Sequence, residues 1–225
     1  MKTLIRKLLK EQEEIITLPP FEYFEYDWNL VLELSEGKPF KILGNVILGG
    51  DKKITTLGNC YAVGGNLNLF ECRNLESLGK LTKVGGHLYL NWCQNLESLG
   101  NLTKVGGWLN LENCANLESL GNLTEVGNHL DLYWCKNLQS LGNLTEVGGD
   151  LNLRYCTNLQ SLGNLTEVGG WLDLKNCTNL QSLGNLTEVG GNLYLAKTPI
   201  ADTMTEDEIR QQVNVRGNIY LRWKT

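Results

Sequence analysis

Cysteine and histidine are the residue types in this sequence best suited to nucleophilic or metal chemistry. Among its seven cysteines, six recur every 21 residues: Cys72, Cys93, Cys114, Cys135, Cys156 and Cys177. If the repeats stack about 4.8 Å apart, distance alone allows disulfides, but the side chains of one column all point the same way. Neither a CxxC spacing nor a histidine beside a cysteine indicates zinc. We therefore interpret these thiols as reduced, buried small hydrophobic groups.

The two histidines do not suggest a metal site either. His87 and His129 occupy equivalent positions two repeats apart, which is about 10 Å at strand spacing and too far for one shared ion. The repeats contain no Ser/His/Asp set, no phosphate-binding loop and no pair of buried carboxylates. The sequence therefore predicts a protein that is not an enzyme, with no catalytic residues, no metal and no cofactor.

A period of 21 residues organises most of the chain. A constant period between about 20 and 50 residues is typical of a solenoid, so we expect one elongated body. A looser copy spans 38–58, and a partial copy spans 185–195. The six full units are 59–79, 80–100, 101–121, 122–142, 143–163 and 164–184.

Within one unit the pattern predicts short strands. In 101–121 the letters WLNLE alternate between polar and apolar, so Leu109 and Leu111 should face inward. Cys114 and Leu117 continue the apolar positions at every third residue. No stretch of the unit is long enough for a helix of average length, which indicates a mostly β fold.

Two columns of equivalent residues predict backbone roles. The second residue of each Gly-Gly pair is only glycine or asparagine, which predicts left-handed backbone there. An asparagine two residues after each repeated cysteine should point inward and bond to backbone groups coil after coil, as an asparagine ladder. The predicted left-handed positions are Gly65, Gly86, Gly107, Asn128, Gly149, Gly170, Gly191 and Gly217. The predicted ladder comprises Asn74, Asn95, Asn116, Asn137, Asn158 and Asn179.

The segment LxLxxCxxL, from Leu109 to Leu117, resembles the leucine-rich repeat in its cysteine-bearing form, and the resemblance covers about 38–221. It departs from the family where Gly106 replaces the leading leucine, and the unit is short for the family. The resemblance implies a right-handed solenoid of about eight coils with one parallel β-sheet. It also implies binding of macromolecules on the concave face of that sheet.

The two ends of the chain read as caps, which a solenoid needs because a terminal coil exposes its apolar face. We predict an N-terminal cap over 1–37, the solenoid over 38–197 and a C-terminal cap over 198–225. The first cap would have a helix over 1–17 followed by a strand-like aromatic stretch; as an alternative, that helix could touch a membrane. The second would have a short helix, opened by a capping box of Thr205 and Glu208, and a final strand.

Variation between units is concentrated on the outward face of the predicted strand. Exposed Trp and Tyr provide large contact areas at low entropic cost, so we interpret this face as a binding surface; a merely solvated face is the alternative. The candidate partner-binding residues are His87, Tyr89, Trp92, Trp108, His129, Asp131, Tyr133, Trp134, Asp150, Arg154, Tyr155, Trp171 and Asp173.

The expected function is a recognition module that binds a protein on this face. Carbohydrate is the alternative ligand, since Trp and Tyr stack on sugar rings, and a purely structural or engineered scaffold is the third interpretation. A net charge of −5 and a pI near 5.2 argue against nucleic acid. No apolar run approaches the roughly 18 residues of a spanning helix, and charges interrupt any secretion signal. We therefore expect a cytoplasmic protein with no membrane partner.

Overall fold

The computed structural model describes residues 15–222 and shows a mostly β solenoid. It has about nine turns, because the shorter of its two sheets contains nine strands. The predicted β solenoid is confirmed, but the prediction of one sheet is wrong. Each turn carries two short strands, which lie in two separate parallel sheets. The Gly106–Gly107 pair separates the two strands of its turn, so the extended stretch bends from one sheet into the other.

Sheet A has ten strands. They are β1 (Ile16–Leu18), β2 (Phe40–Ile42), β4 (Cys60–Val63), β6 (Lys83–Val84), β8 (Lys104–Val105), β10 (Glu125–Val126), β12 (Glu146–Val147), β14 (Glu167–Val168), β16 (Glu188–Val189) and β18 (Asn214–Val215). Equivalent residues of successive turns pair in register, as Val105 does with Val126. The sheet is therefore a direct consequence of the constant period.

Sheet B has nine strands and carries the candidate binding residues on and beside it. They are β3 (Val46–Ile47), β5 (Leu67–Asn68), β7 (Leu88–Tyr89), β9 (Leu109–Asn110), β11 (Leu130–Asp131), β13 (Leu151–Asn152), β15 (Leu172–Asp173), β17 (Leu193–Tyr194) and β19 (Ile219–Tyr220). A third side of the solenoid is held by isolated parallel bridges such as Ser98 with Ser119.

The core is built from the apolar columns of the repeat. Leu109, Leu111, Cys114 and Leu117 are all fully buried, as the periodicity predicts. The seven cysteines are free and buried. In six turns the thiol donates to a carbonyl 24 residues earlier, as Cys135 does to the Leu111 oxygen at 3.1 Å. The prediction of reduced, buried thiols is confirmed.

The left-handed backbone predicted for the second position of the glycine pair is wrong. That position has no positive φ in any turn; Gly100, with φ 57°, is one of the glycines that do. Crowding between turns favours glycine at both positions instead, although Asn128 occupies the second position in one turn. A Cβ on Gly107 would lie 2.5 Å from Nδ1 of His87, and one on Gly106 would lie 2.2 Å from the Gly85 oxygen. Close stacking of successive turns therefore selects glycine here.

The inward asparagine ladder is also wrong, because all six of its members are exposed. Buried side chains fall at Cys114, Leu117 and Leu120, so Asn116 lies at an outward position between them. At the first turn the Asn74 amide donates to a backbone oxygen of the preceding turn at 2.7 Å. This bond joins the outer surfaces of two successive turns.

The N-terminal cap contains helix α1 (Trp28–Ser35) after a 3-10 helix (Phe21–Phe24). The strand-like prediction for this stretch is wrong, because Asp27 caps a helix whose buried residues, including Trp28 and Val31, share one helical face. The helix predicted over 1–17 lies mostly outside the described residues, and its described end forms the start of β1.

The C-terminal cap contains helices α2 (Pro199–Thr203) and α3 (Glu206–Gln212). The predicted capping box is confirmed, since the Thr205 hydroxyl accepts the Glu208 N–H and the Glu208 carboxylate accepts the Thr205 N–H at 2.8 Å. The chain then rejoins both sheets through β18 and β19. Within 15–222, no helix combines the length and the apolar composition that a membrane span requires.

Candidate functional site

All thirteen candidate residues lie in four adjacent columns along sheet B, which we call the variable face. Column one precedes each strand, column two ends it, and columns three and four follow it. Column one contains His87, Trp108, His129, Asp150 and Trp171; column two Tyr89, Asp131 and Asp173; column three Tyr133 and Arg154; column four Trp92, Trp134 and Tyr155.

Column one has a structural role that the sequence analysis missed. The side chain of one turn accepts the backbone N–H of the next turn, as Asn66 Oδ1 does from His87 at 2.7 Å and His87 Nδ1 does from Trp108 at 2.8 Å. Asp150 Oδ1 accepts from Trp171 at 2.9 Å. The signal for this ladder was the recurrence of Asn, Asp and His, which all carry an acceptor close to the backbone.

His129 belongs to the same ladder. Its Nδ1 accepts the backbone N–H of Asp150 at 2.8 Å, so Nδ1 carries no proton there. The 3.2 Å approach of Nδ1 to the Asp150 carboxylate is therefore a close contact and not an ion pair. No group of three potential metal ligands occurs among residues 15–222.

Column two turns the chain out of the strand. The Asp131 carboxylate accepts the N–H of Tyr133 at 2.8 Å, and the Asn110 side chain does the same for Glu112 at 3.0 Å. This is the Asx-turn geometry that Asn and Asp favour. Asn152 forms the same turn without a charge, and Tyr89 occupies this column with neither an amide nor a carboxylate. The fold therefore needs no negative charge at this column.

Column four has left-handed backbone in every repeat. Trp92, Trp134 and Tyr155 have φ of 67°, 64° and 62°, while Asn113 and Asn176 have φ of 59° and 63°. Left-handed backbone costs ordinary L-residues roughly 1–2 kcal/mol, and asparagine tolerates it better. Three large aromatic residues therefore occupy a position whose backbone prefers asparagine or glycine.

Two of these aromatic residues, Trp134 and Tyr155, form a cluster with Tyr133 of column three, and we call these three residues the aromatic shelf. The Tyr133 and Trp134 rings stack with centroids 6.0 Å apart, and Tyr155 meets Tyr133 edge-on at 5.7 Å. Lys136 lies 4.3 Å above the Trp134 ring, and Arg154 lies 5.7 Å from the Tyr133 ring. Trp134 remains 39% exposed, so the shelf presents aromatic surface edged by cations.

Smaller aromatic groups lie on either side of the shelf. Tyr89 approaches Trp108 at 5.9 Å toward the N-terminal end. Toward the C-terminal end, Tyr194 and Tyr220 stack at 4.8 Å, and Lys175 lies 4.2 Å above Tyr194. This second pair lies outside the thirteen predicted candidates, although Tyr194 occupies column two.

A groove of about 210 Å³ runs along columns one and two. We call it the Trp108–Trp171 groove, after the two indoles that line it three turns apart. Its lining is Trp108, His129, Leu130, Asp131, Asp150, Asn152 and Trp171. Five of these seven residues are predicted candidates, so the fold brings separate turns of the repeat together around one concavity.

Acidic groups along the face differ in their pairing. Asp173 is 5% exposed and is paired with Lys175 at 2.8 Å. Burial raises the pKa of Asp131 above its usual range. Burial likewise raises the pKa of Glu112, and the neighbouring Asp131 charge raises it further. The negative charge at Asp131 is therefore held at a cost in free energy.

Comparison with known proteins assigns no family to this arrangement. No protein-family model, no curated protein and no solved structure matches the chain.

Proposed function

We propose that this protein is a non-enzymatic recognition module that binds another protein on the variable face. One observation carries the proposal, namely the large aromatic residues at the left-handed positions of column four. The left-handed backbone belongs to the turn in every repeat, but the aromatic residues there have no local structural reason, and residues kept in unfavourable backbone cluster at binding and catalytic sites. Here the side chains involved are Trp and Tyr, the types that dominate binding energy at protein interfaces.

The other turns of the chain provide the internal reference. Asn113 and Asn176 occupy the same position with the same backbone, so the repeat folds well without an aromatic residue there. Tyr133 extends the aromatic surface by a further ring. Rigid, partly exposed aromatic side chains need little additional ordering when a partner binds, and this favours a protein-binding shelf over a solvated surface.

Carbohydrate is the second candidate ligand, and the Trp108–Trp171 groove favours it. Its indoles lie beside Asn152, Asp131 and Asp150, and such amide and carboxylate oxygens can accept hydrogen bonds from sugar hydroxyls. The groove occupies columns one and two, whereas the shelf occupies columns three and four. The two candidates therefore differ in the residues that they require.

The experiment compares a shelf variant with a control variant. The shelf variant, Trp134→Asn with Tyr155→Asn, uses the residue that Asn113 and Asn176 already provide at this position. A control of Gln139→Asn and Gln160→Asn changes exposed residues on the side of the bridged serines. Both are expected to fold, which circular dichroism and urea unfolding would verify.

Binding is then selected from a displayed library of protein fragments and from an array of soluble glycans. We expect a protein ligand whose affinity falls at least tenfold with the shelf variant and stays unchanged with the control. Equal affinity for wild type and shelf variant would refute the proposal. A glycan that binds both would assign the function to the groove instead.

We also propose that the units are related to cysteine-bearing leucine-rich repeats. The support is the LxLxxCxxL segment, whose leucines and cysteine are all buried in the turn from Leu109 to Leu117. The second sheet distinguishes the chain from a repeat protein with strands on one side only.

A further inference from the structure

We propose that the Trp108–Trp171 groove binds a cationic side chain, an arginine or lysine of the protein partner. The inference rests on the proposed function of the variable face as a protein-binding surface. It assigns the groove a ligand chemistry different from that of the aromatic shelf. The fold uses hydrogen-bond acceptors at Asp131 and Asp150 but does not need their negative charges.

The negative charge of Asp131 is not required by the fold. Its carboxylate accepts the Tyr133 N–H, and neutral Asn110 and Asn152 accept the equivalent N–H in their own turns. Its other contact is with the Asn152 amide at 3.1 Å. An asparagine would therefore satisfy the same turn without placing a charge in the groove.

The negative charge of Asp150 is equally dispensable for the fold. Its carboxylate accepts the N–H of Trp171, which is the ladder bond that Asn66 and Asn192 make with neutral amides. The groove thus contains two aspartates from adjacent turns, Asp131 in column two and Asp150 in column one. Two acidic groups in neighbouring turns repel each other, so their coincidence has no structural benefit.

No lysine or arginine within 15–222 forms an ion pair with Asp131 or Asp150. The contrast is Asp173 in column two, which has Lys175 at 2.8 Å and Arg154 at 3.8 Å. Asp131 is partly removed from water and has no cation beside it. An incoming positive group would therefore form a favourable electrostatic interaction with its carboxylate that the free protein does not have.

The tryptophans define the shape of the ligand. Trp108 and Trp171 are three turns apart, about 14 Å at strand spacing, and indole faces attract cations held over them. A guanidinium is planar, stacks on aromatic rings and donates in a fork to carboxylates. The groove therefore combines the two features that recognise an extended basic side chain.

The test uses the full chain and a pair of charge-matched variants. Asp131→Asn with Asp150→Asn removes two charges from the groove with residues that other turns use. Glu146→Gln with Glu167→Gln removes two charges from sheet A, so it controls for net charge. Urea unfolding would verify that both variants fold.

The probe is the capped hexapeptide Gly-Arg-Gly-Gly-Arg-Gly, titrated while the indole N–H resonances of the tryptophans are followed by NMR. Its control has citrulline, a neutral analogue, in place of each arginine. We expect the arginine peptide to shift the Trp108 and Trp171 resonances. Its affinity should fall at least tenfold with the groove variant or with the citrulline peptide, and less than twofold with the sheet A variant.

Equal binding of the citrulline peptide, or an equal loss with both variants, would overturn the inference. Saturable binding of a neutral oligosaccharide that the groove variant retains would also overturn it. These results are separate from the shelf experiment. If the shelf variant loses its protein ligand while the groove binds no arginine peptide, only this inference fails; if neither responds, the proposed function fails as well.

Discussion

Glycine should stabilise the protein more than alanine at Trp92, the reverse of their usual order. Trp92 lies in column four with φ 67°, and its ring takes part in no aromatic pair within the described range. The variants Trp92→Ala and Trp92→Gly both remove the indole. Their difference therefore isolates the backbone conformation from the loss of side-chain contacts.

The size of the effect follows from two opposing terms. Left-handed backbone disfavours alanine by roughly 1–2 kcal/mol, a penalty that glycine does not incur. The greater freedom of glycine in the unfolded chain offsets about 0.5–1 kcal/mol of this. We expect the unfolding free energy of Trp92→Gly to exceed that of Trp92→Ala by about 0.5–1 kcal/mol.

The assay is urea unfolding followed by circular dichroism, with the midpoint compared at constant slope. Trp171 provides the matched control, since it lies in column one and has no positive φ. There Trp171→Ala should be more stable than Trp171→Gly by about 0.5–1 kcal/mol. If alanine is as stable as glycine at position 92, or if both positions give the same order, the account of column four is refuted.

Three further predictions concern charge, crowding and the thiols. Burial raises the pKa of Asp131, so its contribution to stability is present below the unfolded pKa and is lost as pH rises through the folded pKa. Asp131→Asn should therefore raise the unfolding free energy by about 0.5 kcal/mol at pH 7 and leave it unchanged at pH 3. Equal gains at both pH values would contradict this prediction. A Cβ on Gly169 would lie 2.2 Å from a backbone oxygen, whereas one on Gly163, with φ 58°, would meet nothing within 4 Å. In thermal or urea unfolding, Gly169→Ala should therefore lower the unfolding free energy by about 3 kcal/mol or more, and Gly163→Ala by about 1 kcal/mol. Equal losses would exclude crowding as the cause. Burial raises the pKa of Cys177 to about 12, so iodoacetamide should not alkylate this thiol in the folded protein at pH 8 and should alkylate it fully in urea. Mass spectrometry would detect the adduct. Rapid labelling without denaturant would contradict the burial of this thiol.

Much of the fold was predictable from the sequence because the repeated units of this one chain can be aligned with each other. The apolar letters that never change, such as Leu117 and Cys114, are the buried ones, since a solenoid core admits only small variations in volume. The capping box of Thr205 and Glu208 was equally readable, because it depends on residues three apart in sequence.

The errors arose where a role depends on the neighbouring turn. Gly107 is glycine because His87 and Gly86 of the previous turn leave no room for a Cβ, not because of its own φ. Likewise, the acceptor role of His129 involves Asp150 in the next turn. The sequence shows the period of the repeat but not the distances between turns. The glycines were therefore explained by their own backbone conformation, and the acceptor role of the histidines was missed.

The candidate site shows the same division. The sequence placed all thirteen candidate residues in the four columns that vary between turns, whereas the apolar columns do not vary. It did not distinguish residues whose side chain accepts a hydrogen bond from the next turn, such as His87, from residues whose type is unfavourable in left-handed backbone, such as Trp134. That separation required φ angles and hydrogen bonds.

By itself, the sequence determined that this protein is a stack of 21-residue turns with an apolar interior and one diversified side. Periodicity is sufficient for this, since identical units bury identical positions. Only the tertiary structure decided that each turn bends into two sheets and that its left-handed residues are Trp92, Trp134 and Tyr155 as well as glycines. Only it brought Asp131 and Asp150 between two distant tryptophans. The physical reason is that stacking sets the contacts between turns, and these contacts determine which side chains hold the backbone together and which have no role in the fold.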